Sequence, residues 1–136
     1  MMKLGALDHV NVRTRNLDKM AEWYQRVLGL QKGERPSFNF PGAWLYLDDK
    51  PIVHLVGVDR SLPAHQQDLR LEHFAIRASG LTEFLARLKM DDINYKMGKV
   101  PDFPIVQVNV WDPDGNHIHI DFHEDEAAAH QNELAV

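Results

Sequence analysis

Cysteine is absent from the 136 residues, which excludes disulfides, thiolate nucleophiles and Cys-based metal sites. Histidine and carboxylate are the ligands left for a transition metal. No apolar run approaches the roughly 18 residues of a membrane span, and the opening "MMKLGALDHV" lacks the long apolar core of a secretory signal. Clustered Lys and Arg are missing too. With a formal charge of −5, nucleic acid and anionic membranes are poor candidate partners, and a small molecule or a protein is the expected one. The expected location is cytoplasmic. What remains, 44% hydrophobic and 26% charged residues, is the composition of one globular domain with a substantial core.

The chain repeats itself once. "LDHVNVRTRNLDKMAEWY" (7–24) lies on "LEHFAIRASGLTEFLARL" (71–88), matching Leu7 with Leu71, Asp8 with Glu72, His9 with His73 and Arg13 with Arg77. Each copy begins with strand-like alternation, passes a polar break and continues with helix-spaced apolar residues. Leu17, Met20, Tyr24 and Val27 form one stripe; Leu81, Phe84, Leu85 and Leu88 form the other. Gly29 is placed to stop the first helix, and the second is expected to end near "KMDDI". The match continues as "AWLYLDDKPIVHLVG" (43–57) against "VQVNVWDPDGNHIHIDF" (106–122), which sets His54 opposite His119. Asp112-Pro113-Asp114-Gly115 reads as the turn of the second pair and Asp48-Asp49-Lys50-Pro51 as that of the first.

Each half is therefore expected to run strand, helix, several strands, an α+β arrangement with modules at about 5–58 and 69–124. Residues 59–68 read as a linker, and 125–136 as a frayed tail, helix-permissive but short of an apolar face. Within "DPDGNHIHIDF", strand alternation puts His117, His119, Asp121 and His123 on one face and Ile118, Ile120 and Phe122 on the other. A lone strand histidine is usually structural, and His65, His117, His123 and His130 are left in that class. His9, His54, His73 and His119 differ, because they occupy matched positions in the two halves. A repeated fold brings such positions together about a pseudo-two-fold axis, where neutral imidazoles would suit a divalent metal.

Other residues carry two readings each. Asn11 and Arg13 follow His9 on its strand face, and Arg77 stands likewise to His73. They are candidates for gripping a substrate carboxylate or phosphate, or else strand-end side chains reaching water. Phe38, Phe40 and Trp44 suggest a pocket wall or lid, or plain core. Trp23 and Tyr24 read as packing residues on the first helix.

In order and spacing, "LDHVNV", "AEWYQRVLGL", "GAWLYL", "IVHLV", "LEHFAIR" and "DPDGNHIHI" resemble the vicinal oxygen chelate superfamily, which includes glyoxalase I, bleomycin-resistance proteins and extradiol dioxygenases. The resemblance covers about residues 5–124. It implies two βαβββ modules forming a cupped mixed sheet with helices outside, a metal inside and, often, a homodimer. It also implies metal ligands at His9, His54, His73 and the position of His119. There the family most often has a glutamate that binds metal and moves protons, so the chain departs from the pattern. Asp121, two residues on, is the substitute candidate for a catalytic base, against the plainer reading of a solvated carboxylate.

Three readings follow from the resemblance. The first is a metal-dependent lyase or isomerase acting on a small oxygen-chelating substrate. The second is an Fe(II) extradiol-type dioxygenase, for which four imidazoles leave two coordination positions open. The third is a metal-free small-molecule-binding or resistance protein, which would have no need of four matched histidines. Fe, Ni or Zn is the expected ion.

Overall fold

The computed structural model describes residues 1–60 and 70–134. His65 and most of the expected linker therefore lie outside the described residues. The chain divides into two compact units, Met1–Ala64 and His65–Val136.

The first unit contains β1 (Val10–Thr14), α1 (Leu17–Arg26), β2 (Gln31–Gly33), β3 (Gly42–Leu47) and β4 (Lys50–Gly57). They make a four-stranded sheet of order β1-β4-β3-β2, in which β1 and β4 are parallel and the other neighbours antiparallel. A parallel pair needs a long crossover, and α1, β2 and β3 supply it. Helix α1 forms because its apolar residues recur at helical spacing: Met20, Tyr24 and Val27 are fully buried, and Trp23 nearly so. Gly29 ends it with φ 78°. Its N–H reaches the Gln25 carbonyl at 3.0 Å, and the Leu30 N–H reaches that of Tyr24 at 3.1 Å. A left-handed residue of this kind favours glycine because a Cβ would crowd the following carbonyl.

The second unit repeats the plan with β5 (His73–Arg77), α2 (Leu81–Met90), β6 (Lys96–Lys99), β7 (Ile105–Trp111) and β8 (His117–His123), in the order β5-β8-β7-β6. Leu81, Phe84, Leu85 and Leu88 are buried, as are Ile118, Ile120 and Phe122 on β8. Phe84 meets Phe122 with ring centroids 5.9 Å apart. The two units correspond in register as well as order: Asn11 pairs with His54 across β1 and β4, and Ala75 with His119 across β5 and β8. Trp44 faces His54, as Asn109 faces His119. The Asp112 carboxylate organises the turn before β8, its Oδ1 accepting from the N–H of Asp114 at 3.0 Å and of Asn116 at 2.9 Å.

The expected frayed tail is corrected. Residues Glu124–Glu133 form 3-10 turns with a kink at His130, and Ala127 is 1% exposed. Polar side chains fasten them. Glu126 Oε1 accepts the N–H groups of Gly80 and Leu81, at 2.9 and 3.0 Å, and so caps α2. Thr82 Oγ1 and His130 Nε2 lie 2.9 Å apart. Glu133 Oε1 accepts from the Tyr95 hydroxyl and sits 3.2 Å from Lys89 Nζ. An apolar-periodicity search passes over such a segment because its docking is mainly polar.

Candidate metal centre

In the first unit three rings lie in a stack. His9 lies 3.8 Å from His54 between centroids, and His54 lies 4.0 Å from Trp44. Cross-strand pairing of Trp44 with His54 sets the second contact. His9 Nδ1 lies 2.6 Å from Asp8 Oδ2, and His54 Nε2 lies 3.0 Å from the Pro51 carbonyl. An oxygen without a proton accepts only, so the facing ring nitrogen is the protonated one. His9 thus keeps its lone pair on Nε2 and His54 on Nδ1. Burial, reinforced by the neighbouring His9, holds the His54 pKa below the usual imidazole value. The hydrogen bond from His9 holds the Asp8 carboxyl below its usual range.

The second unit gathers more groups. His73 and His119 have centroids 4.1 Å apart, and His117 lies 5.3 Å from His73 and 5.7 Å from His119. His119 is 7% exposed, and its Nδ1 lies 2.9 Å from Asp121 Oδ1. His73 Nδ1 hydrogen-bonds to Glu72 Oε2. The same carboxylate lies 3.0 and 3.2 Å from His117 Nδ1, and His117 Nε2 lies 2.8 Å from Asn109 Oδ1. The contact with His73 first, and then that with His117, holds the Glu72 carboxyl below its usual range. Glu72, His73 and His117 each offer a ligand atom within 4.8 Å of the others.

Each unit therefore pairs its two matched histidines, His9 with His54 and His73 with His119. Asn11 is exposed and pairs with His54, while Arg13 is exposed and one side-chain repeat farther along β1. Arg77 pairs with Asp121, and both line a pocket of about 410 Å³ with Ser79, His123 and Glu126. Phe38 and Phe40 belong neither to the core nor to the ring stack: they are 45% and 40% exposed, with the Arg35 guanidinium 5.1 and 5.3 Å from their rings. His123 takes Asp125 as partner, and His130 takes Thr82 and Glu133. Glu72 and His117 were not among the expected ligands. The signals available were Glu72's match to Asp8 and His117's place on the His119 face.

The model of the Glyoxalase/Bleomycin resistance protein/Dioxygenase superfamily matches residues 6–120. A manganese-dependent 2,3-dihydroxybiphenyl 1,2-dioxygenase of Geobacillus genomosp. 3 is 31% identical over 120 residues, 82% of this chain and 37% of that protein. Glyoxylase I 4 of Arabidopsis thaliana is 46% identical over 46 residues, 33% of this chain and 26% of that protein. The chain thus spans well under half the length of either relative. A glyoxylase/bleomycin resistance protein/dioxygenase domain from Frankia sp. EAN1pec superposes with TM-score 0.73 at 17% identity, covering 89% of this chain and 93% of its own. Lactoylglutathione lyase from Agrobacterium tumefaciens gives 0.67 at 16%, covering 90% and 97%. With a family match running through both repeated units and the same fold in these structures, the chain belongs to the glyoxalase/bleomycin resistance protein/dioxygenase superfamily.

Proposed function

We propose that the protein is a divalent-metal enzyme, a glyoxalase-like lyase or isomerase that takes a small substrate through two neighbouring oxygens, with His9, His54, His73 and His119 as metal ligands. The state of the four rings carries this reading. Each has one nitrogen engaged by an oxygen acceptor: Asp8 for His9, Glu72 for His73, Asp121 for His119 and the Pro51 carbonyl for His54. The other nitrogen is left with its lone pair. Such outer acceptors fix the tautomer of a metal-binding histidine and raise its basicity. Neutral imidazoles suit Zn, Fe or Ni.

A bound dication would supply Lewis acidity toward the substrate oxygens, undiminished because four imidazoles add no negative charge. The chain's own residues do the rest. Asp121 orients His119 through Oδ1 and is the proposed proton carrier. Arg77, opposite it on β5, offers a two-pronged grip for a substrate carboxylate or phosphate, with Asn11 and Arg13 in the same role on β1.

The dioxygenase reading is favoured by one observation, the 31% identity to the manganese-dependent dioxygenase over 82% of this chain. Elemental analysis of protein purified without a tag, with oxygen uptake on vicinal diols, separates the two. Fe or Mn with oxygen consumption establishes the dioxygenase; Zn or Ni with oxygen-independent turnover establishes the lyase or isomerase. The ligand assignment is tested by His54→Ala with His119→Ala, expected to weaken metal binding more than about tenfold. Wild-type affinity in that variant overturns it. A homodimer is proposed with this reading, and sedimentation equilibrium tests it.

A further inference from the structure

We propose that Glu72, His73 and His117 form a cation site of their own within the second unit, taking a divalent transition ion of the zinc class. This goes beyond the four-imidazole reading, since two of its three ligands lie outside that set.

Asn109 sets the tautomer of His117. Its Nδ2 donates to the Lys96 carbonyl at 3.1 Å, which fixes the amide so that Oδ1 faces His117 Nε2 at 2.8 Å. That nitrogen must therefore carry a proton. Trp111, stacked on the His117 ring at 5.1 Å and 12° between planes, holds the ring in place. In the neutral ring the lone pair then sits on Nδ1, 3.0 and 3.2 Å from the two Glu72 oxygens. A lone pair facing a carboxylate at that distance is repelled unless positive charge lies between them. His73 turns its Nδ1 to the same carboxylate.

The charge between these groups is either a proton or a metal ion, and the arrangement suits the ion. Three ligand atoms lie within 4.8 Å of one another; bonds of about 2.0–2.2 Å in tetrahedral geometry put neighbouring ligands roughly 3.3 Å apart, near the 3.0 and 3.2 Å between His117 and Glu72, while the closer His73 would draw back from Glu72 to bind. Two imidazoles and one carboxylate leave a fourth position open, and Asn109 stands as the outer partner of His117. The repeat does not produce this site twice. Ile52 occupies the position matched to His117, and Trp44 the position matched to Asn109. His73 would bind through Nδ1 here and through Nε2 in the four-imidazole set, so the two sets are alternatives at that ring.

The test titrates Zn²⁺ into the full chain carrying His54→Ala and His119→Ala, by calorimetry, while long-range ¹H–¹⁵N spectra follow the imidazole nitrogens. One Zn²⁺ per chain is expected, weakened more than about tenfold by Glu72→Gln or His117→Gln, with the Nδ1 signals of His73 and His117 moving. No zinc in this background, or zinc indifferent to both further changes, overturns the site. The first of those outcomes leaves the four-imidazole reading standing. Conversely, wild-type affinity in the background together with sensitivity to Glu72→Gln supports the site and removes the four-imidazole set. Should the double variant fail to fold, the same spectra on the otherwise native chain decide: movement at His73 Nε2 rather than Nδ1 overturns the proposal.

Discussion

Glu126 reaches from the C-terminal segment to the first turn of α2, and its replacement by Ala is expected to loosen both. Oε1 accepts two backbone N–H groups, from Gly80 and Leu81 at 2.9 and 3.0 Å, and Gly80 offers no side chain of its own to cap the helix. Losing a capping acceptor costs about 1 kcal/mol, and losing a negative charge at a helix N-terminus adds about 0.5 kcal/mol. Leu81 is fully buried, so water replaces the lost bond poorly and the sum is set at about 2 kcal/mol. For a chain of this size that lowers Tm by roughly 6–8 °C. Glu126→Gln keeps an oxygen acceptor and loses the charge, so about a quarter of the effect should remain. Urea midpoints and thermal scans of the two variants, at constant metal-free conditions, make the comparison. A Glu126→Ala protein as stable as the wild type would refute the reasoning and return the segment to a frayed tail.

Tyr95 has its pKa pushed up to about 12, first by burial and then by its hydrogen bond to Glu133. The folded state therefore holds a proton that the unfolded state releases near pH 10; the resulting stability is full below pH 10 and is lost as pH rises toward 12. Absorbance titration at alkaline pH should show a late tyrosinate step, absent in Tyr95→Phe and shifted downward in Glu133→Gln; a late step that survives Tyr95→Phe contradicts the assignment. Asp121→Asn should weaken metal binding about tenfold, because the amide can present its NH₂ to His119 and disturb the tautomer; unchanged affinity removes Asp121 from that role. Leu88→Ala, at a fully buried position of α2, should lower stability by about 2–5 kcal/mol by urea unfolding, and a loss under 1 kcal/mol would mean that α2 is not packed as described.

The local order of elements was legible in the sequence because it depends on local periodicity. Met20, Tyr24 and Val27 recur at helical spacing and are fully buried; Gly29 supplies the left-handed residue that ends α1. The repeat set His54 opposite His119, and the two hold equivalent places in the strand register, paired with Asn11 and Ala75. Asp121 could be placed on the His119 face by counting alone, since strand side chains alternate.

Contacts between residues far apart in sequence were another matter. The docking of Glu126 on Gly80 and Leu81 spans some 45 residues and joins polar groups that carry no periodic signal. His117 was placed with the structural histidines because its sequence neighbours say nothing about Glu72, which lies 45 positions back. Parallel pairing of β5 with β8 brings those two together, and the cross-strand neighbour Asn109 fixes the ring nitrogen that faces the carboxylate. Sequence alone determined which residue types lie on which face of each element, for that follows from the geometry of one helix or strand. Tertiary structure decided which of those faces meet, and so which nitrogen of His117 is left with a lone pair, because its partners Glu72 and Asn109 reach it only through strand pairing.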